Sequence, residues 1–217
     1  MKKGDFLWVA ALLLILSVLI VPDTHKVFIS LTRNHPFVMG FIKFGVLATM
    51  GELLTIRLSK GKWEKPVGLL YKSMVWGFIG VLITLMFEIF YSGVSGAVGK
   101  KMLWTGEGLI ATIMPPFYIA AIMNVTFAPT FMIAHRISDT YIDLICGKVM
   151  PAKTVNLSVV LTKIDWQSMF SFVFMKTIPF FWIPAHTIVF LLPPEYRIIS
   201  AALLSIALGA ILTYAKR

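Results

Sequence analysis

Lys43, Glu52, Lys72, Glu88 and Lys176 are ionisable side chains set inside long apolar runs of the chain. A charge at membrane depth costs about 3 kcal/mol even on the most lenient scale, so each of them needs a partner or water. Counted at about 1.5 Å per residue, Lys43 and Glu88 fall in the outer half of a bilayer, and Glu52 and Lys176 in the inner half. Each level therefore offers one acid and one base on different helices, which predicts two ion pairs, Glu52 with Lys176 and Glu88 with Lys43. The same residues could instead line a hydrated path for a polar or charged solute, because either arrangement turns them away from lipid. At about 100° per residue, Lys43 and Glu52 point to opposite sides of their helix, so they cannot serve one narrow site. Lys72 stands one turn from the end of its run and is expected to snorkel.

Asn124 is the uncharged counterpart of these groups. It stands mid-span between Pro115-Pro116 and Pro129, and Glu52 follows Gly51. Breaks in a membrane helix expose carbonyls that protein or cavity water must satisfy, so Glu52 and Asn124 are the first candidates for path-lining groups. Pro179 and Pro184 interrupt a later run in the same way. His135, Asp139 and Asp143 recur at intervals of four and share a helix face, but together they span about 12 Å, too far for all three to hold one ion. They read as a solvated helix end, and His186, after Pro184-Ala185, as a packed or interfacial histidine. The run Gly93-x-x-Gly96-x-x-Gly99 reads as a flexible external turn, since no strand precedes it as a phosphate cradle would require. Neither His-Glu-x-x-His nor Gly-x-Ser-x-Gly occurs, so no enzyme, catalytic residue, metal site or cofactor is expected. Cys146 is the single cysteine, which excludes an internal disulfide.

The elements that carry these residues follow from composition. Of 217 residues, 58% are hydrophobic and only 14% charged, where roughly a quarter charged is the soluble norm. The net charge of +10 sits in short clusters between apolar runs, a pattern that orients membrane proteins and gives no reason to expect nucleic acid. A hydrocarbon core of about 30 Å takes about 20 apolar residues in helix. Such runs lie near 6–22, 36–57, 67–92, 108–134, 168–192 and 196–214, so the expected fold is an all-α polytopic membrane protein of about six spans. The first run, after Lys2 and Lys3, ends in Leu19-Ile20-Val21-Pro22 without a small-x-small cleavage site and is read as an uncleaved span. Alternate sides of the six-span arrangement carry unequal positive charge. Lys2, Lys3, Arg57, Lys60, Lys62, Lys65, Arg136, Lys148, Lys153, Lys163, Lys216 and Arg217 share one side, and Lys26, Arg33, Lys100, Lys101 and Arg197 the other. The excess places both termini in the cytoplasm, in a multi-pass protein of the cell membrane. Within the polar stretch 135–167, the segment 154–166 is expected to lie in the interface as an amphipathic helix with Trp166 at headgroup level. Ala201, Ser205, Gly209 and Thr213 form a face of small residues suited to close helix contact, including contact with a second copy.

The order of several short motifs carries a resemblance. His35-Pro36, Gly51-Glu52-Leu53-Leu54, Gly77-Phe78-x-Gly80, Asn124-x-x-Phe127-Ala128-Pro129, Pro184-Ala185, Phe190, Pro193 and Tyr196-Arg197 resemble the family of four-span organellar proteins that includes the 22-kDa-type peroxisomal membrane protein and the mitochondrial inner-membrane protein of DNA depletion. The likeness covers 35–217, with 1–34 as an extra N-terminal span and loop on a single membrane domain, and fits a divergent prokaryotic member. It departs at Glu52, where the family has Asp, at Met123-Asn124, where it has Asp-Gln, at Glu88, which stands in place of a Gly-Pro-x-x-x-x-Trp-Tyr stretch, and at Ile183-Pro184 for Trp-Pro. The resemblance implies a helical membrane protein linked to solute permeation, channel- or transporter-like. A structural or assembly role without transport is the alternative.

Overall fold

Proline fixes where several helices start. Pro22, Pro36, Pro129, Pro184 and Pro194 all stand in a first helical turn, where the missing N–H would have had no partner and the fixed φ already suits a helix. The computed structural model describes residues 2–215, which form α1 (Lys3–Ser17), α2 (Pro22–Asn34), α3 (Pro36–Lys60), α4 (Leu69–Gly99), α5 (Leu109–Thr126), α6 (Ala128–Cys146), α7 (Leu157–Thr162), α8 (Trp166–Ser168), a π-helical segment (Met169–Trp182), α9 (Ile183–Leu191) and α10 (Pro194–Ala215). Lys216 and Arg217, counted above among the positive residues, lie outside the described residues. Among the described residues five helices are long and apolar enough to cross a membrane, namely α3, α4, α5, the rod Trp166–Leu191 and α10, and a sixth crossing arises if α1 and α2, bent by 78°, count as one. The fold is all-helical and polytopic, and its apolar exterior fits lipid. On α4, for example, Phe78, Leu82, Leu85 and Ile89 are exposed along one stripe.

Glycine sets the central contact. Gly40 and Gly45 of α3 face Gly80 and Gly77 of α4, and a Cβ on Gly80 would run into the Gly40 carbonyl. The absence of side chains there lets the two backbones pack at close range. α10 packs on the next face of α3: Gly51 lies against the Ile206 backbone, and Gly209 against Thr55. The small-residue face expected to meet a second copy is thus taken up within the chain. α5 packs on α9, completing a bundle whose buried centre includes Leu47, Ile119, Ala120 and Ala202.

The N-terminal segment differs from its expectation. α1 descends alongside α3, with Trp8 Nε1–H donating to the Met50 carbonyl at 3.0 Å, and Asp5 taking two hydrogen bonds from Arg57 and one from Trp63. Residues 22–34, expected as a loop, form α2, which buries Phe28 and Thr32 and joins the start of α10 through His25 to Tyr196 and Arg33 to Glu195. Its two buried positions, four apart, lie on one helix face, a period that the search for continuous apolar runs passes over.

Three further boundaries move. The glycine run 93–99 belongs to α4, where Gly93, Gly96 and Gly99 meet nothing that a Cβ would disturb. A helix pays only about 1 kcal/mol per glycine, too little to unwind a helix of 31 residues. The segment 154–166 forms only the short helix α7, capped by Asn156, and Val155, Val160 and Ile164 pack on Leu144 of α6 as a small second core rather than on lipid. Residues 169–182 wind as a π-helix around Pro179, where the missing N–H removes one i→i−4 bond. The Ile183 N–H bonds five residues back, to the Ile178 carbonyl.

Candidate functional site

A cavity of about 440 Å³ lies between α3, α4, α5, α6, the Trp182–His186 stretch and α10. Its walls are mostly apolar and aromatic, with Phe44, Phe87, Phe127, Phe131 and Trp182 among them, and its polar groups gather at two levels. A largely apolar hollow with a few placed polar groups is the usual form of a small-molecule site.

At the deeper level stand Asn124 and His186. Asn124 is 2% exposed; its Nδ2 donates to the Ala120 carbonyl at 2.8 Å and lies 2.9 Å from His186 Nδ1. His186 is buried, stacked on Trp182 and edge-on to Phe87. Asn124 Oδ1 lies 3.3 Å from the same nitrogen, so the tautomer of His186 sets which amide atom is its partner. Trp182 Nε1, the neighbouring donor, is buried with no hydrogen-bond partner among the described residues.

At the other level lies a charge cluster that the sequence reading dispersed. Lys72 Nζ sits 3.2 Å from Glu52 Oε1, 3.1 Å from Asp143 Oδ1 and 3.9 Å from Asp139 Oδ2, and its side chain is only 7% exposed. It therefore does not snorkel. α6 covers it: Gly68, in a left-handed conformation just before α4, leaves room for Ile142, which a Cβ there would strike. Four-residue spacing brings Asp139 and Asp143 to the same face of α6, so both carboxylates meet one ammonium. His135, a turn earlier, packs on Trp76 with ring centroids 4.2 Å apart and faces Asp139 Oδ1 at 4.0 Å, too far for a hydrogen bond. Burial holds the His135 pKa below its ordinary value, with Asp139 opposing that shift only in part. The constellation His135, Asp139, Asp143 is accordingly no solvated helix end. Among the described residues no group of three or more His, Cys, Asp or Glu could hold a metal ion.

Glu52 and Asn124, expected to share a path, both border this cavity. The two expected ion pairs do not form. Lys176 is exposed on the π-helical segment, with Nζ 6.0 Å from the Phe172 ring centroid, because matched depth says nothing about which way a side chain points and π winding shifts that direction. Lys43, buried near the opposite end, donates to Thr32 Oγ1 at 2.8 Å and lies over the Phe28 ring. Both partners come from α2, the helix read as loop. Glu88 instead accepts from Ser92 at 2.9 Å. Lys43 and Glu88 do border one smaller cavity, of about 290 Å³, with Arg33 and Arg197.

Lys72, Asp139 and Asp143 each stand out in the sequence, but their meeting with Glu52 does not, although a usable signal for it exists. Gly40, Gly45, Gly77 and Gly80 set the register of an α3–α4 hairpin that brings Glu52 level with Lys72. No protein-family model, curated protein or solved structure matches this chain. Of the motif residues that carry the family resemblance, Gly51, Glu52, Asn124, Phe127 and Ala128 all line the large cavity.

Proposed function

We propose that this protein is a channel- or transporter-like protein of the cell membrane that admits small polar or ionic solutes to the cavity between Asn124 and Glu52, without catalysing a reaction. The observation that carries this reading is the convergence of Glu52, Asp139, Asn124 and His186 on one hollow inside an otherwise apolar bundle. Polar side chains inside a membrane bundle are costly and mark pathways when they face a cavity. The likeness to the organellar membrane-protein family, carried by residues that border the same hollow, supports the same reading. The test is solute and ion flux through purified protein in liposomes, comparing the parent with Glu52→Gln and Asn124→Leu at matched monodispersity. Altered selectivity or rate in either variant is the expected result. Unchanged flux in both would remove these residues from the path.

The Lys72 cluster favours a second reading. It ties α3, α4 and α6 together through one ammonium, as a purely structural or assembly protein would require. Absence of any flux in the parent protein would decide for that role.

A further inference from the structure

The polar groups at the α6 end of the large cavity are unbalanced. Glu52 and Asp139, 21% and 17% exposed, border the hollow and share the ammonium of Lys72, which also meets Asp143, an acid that is 55% exposed and lies outside the cavity lining. Arg136 also lines that end but is exposed, so solvent screens it more than it screens the half-buried Glu52 and Asp139. The adjoining walls are aromatic: Trp76 and Phe131 pack on His135, and Phe127 stacks on Phe131. Aromatic faces attract cations and repel carboxylates. At the far end His186, nine-tenths buried, lines the cavity and meets Asn124 through Nδ1. His135 on α6 and Asn124 on α5 both line the hollow.

We propose that the cavity binds a small organic cation, an amine whose ammonium sits on Glu52 and Asp139 and whose apolar body lies along Phe131, Phe87 and Trp182 toward His186. The proposal rests on the cavity being a solute site, as in the function above, and adds the chemical class of the solute. The ammonium supplies the positive charge that Lys72 alone does not, and each charge-assisted hydrogen bond to a carboxylate is stronger than a neutral one. The apolar body takes the place of water against the aromatic wall.

The test uses three molecules of one shape that differ only in the head: 4-phenylbutylamine, 4-phenylbutanol and 4-phenylbutyrate. Binding is measured by titration calorimetry on the full chain in an uncharged detergent at pH 7, with empty micelles as the blank. The amine is expected to bind at least tenfold more tightly than the alcohol and the carboxylate, and Asp139→Asn and Glu52→Gln to reduce that preference at least tenfold. A preference below tenfold in the parent protein, a preference for the carboxylate, which would assign the site to Arg136, or an unaltered preference in monodisperse variants overturns the proposal. If neither variant folds, the ranking of the three molecules by the parent decides alone. Failure here is separable from failure of the transport reading. Amine binding without flux would leave this site standing and refute passage, whereas flux without amine preference would do the reverse.

Discussion

Lys72 illustrates how a single charge can organise a membrane interior. Its ammonium meets carboxylates from α3 and α6 while its own backbone lies in the first turn of α4. Removing one partner of a buried ionic group strands the others, at a cost of about 3–5 kcal/mol. Lys72→Met is therefore expected to lower stability by about that much in thermal or chemical unfolding in detergent, and Lys176→Met, on an exposed face, by no more than about 0.5 kcal/mol. In a double-mutant cycle Glu52→Gln should couple to Lys72→Met by about 0.5–3 kcal/mol and add independently to Lys176→Met. Equal losses in the two lysine variants would sink this assignment of partners. The residue types at the site were legible in part in the sequence, since Glu52, Asn124 and His186 stand out against apolar surroundings, whereas Asp139 sits in a polar stretch. Their partners were not, because depth along a helix axis is readable from a count but azimuth depends on which helix lies alongside. The same gap separated Lys43 from Thr32, whose helix is too polar on one face to register as an apolar run.

At the scale of elements, glycines of the same residue type do opposite things on one helix. Gly80 of α4 lies against the Gly40 carbonyl and the Phe44 side chain, whereas Gly93 has open space around it. Gly80→Ala must push α3 and α4 apart and is expected to destabilise by about 1–3 kcal/mol through overpacking. Gly93→Ala adds helix propensity without a clash and should be neutral or stabilise by up to about 1 kcal/mol. Midpoints of thermal unfolding for the two variants test this directly, and a loss of similar size at Gly93 would mean that the α4 end packs on something else. The spans themselves were readable because about 20 apolar residues in succession are hard to mistake. Their ends were less so. α4 runs through a glycine-rich stretch to Gly99, and the rod 166–191 changes winding around Pro179, since neither the tolerance of a long helix for glycine nor the choice between i→i+4 and i→i+5 bonding is written in hydropathy.

For the whole molecule, hydrogen bonds fix which chain segments share an end of the bundle. Lys2 Nζ donates to the Gly61 carbonyl at 2.9 Å, which joins the N-terminus to the α3–α4 connection. The start of α10 sits at the opposite end, where Arg33 meets Glu195 at 2.7 Å, and α10 then runs back along α3 until Gly209 reaches Thr55. Lys2 and the later part of α10 thus approach the same end of the bundle, and the Lys100 end of α4 lies at the other. The first of these ends holds Lys60, Lys62 and Lys65, with Glu64 bridging two of them and held at a pKa of about 2 by that pairing. Positive residues left unpaired at this end outnumber those at the other, so the positive-inside rule assigns it to the cytoplasm. Reporter domains fused after Arg217 and inserted at Lys62 should therefore report the cytoplasmic side, and one inserted at Lys101 the other side. An insertion at Lys101 is informative because the segment 100–108 connects two spans and lies outside both. If the Lys62 and Lys101 reporters fell on the same side, α4 would not cross the membrane and the cavity could not open between two compartments. If Lys62 and Arg217 disagreed, the number of crossings between them would be odd rather than even, and one of the spans after α4, the rod 166–191 first among them, would have to be re-entrant.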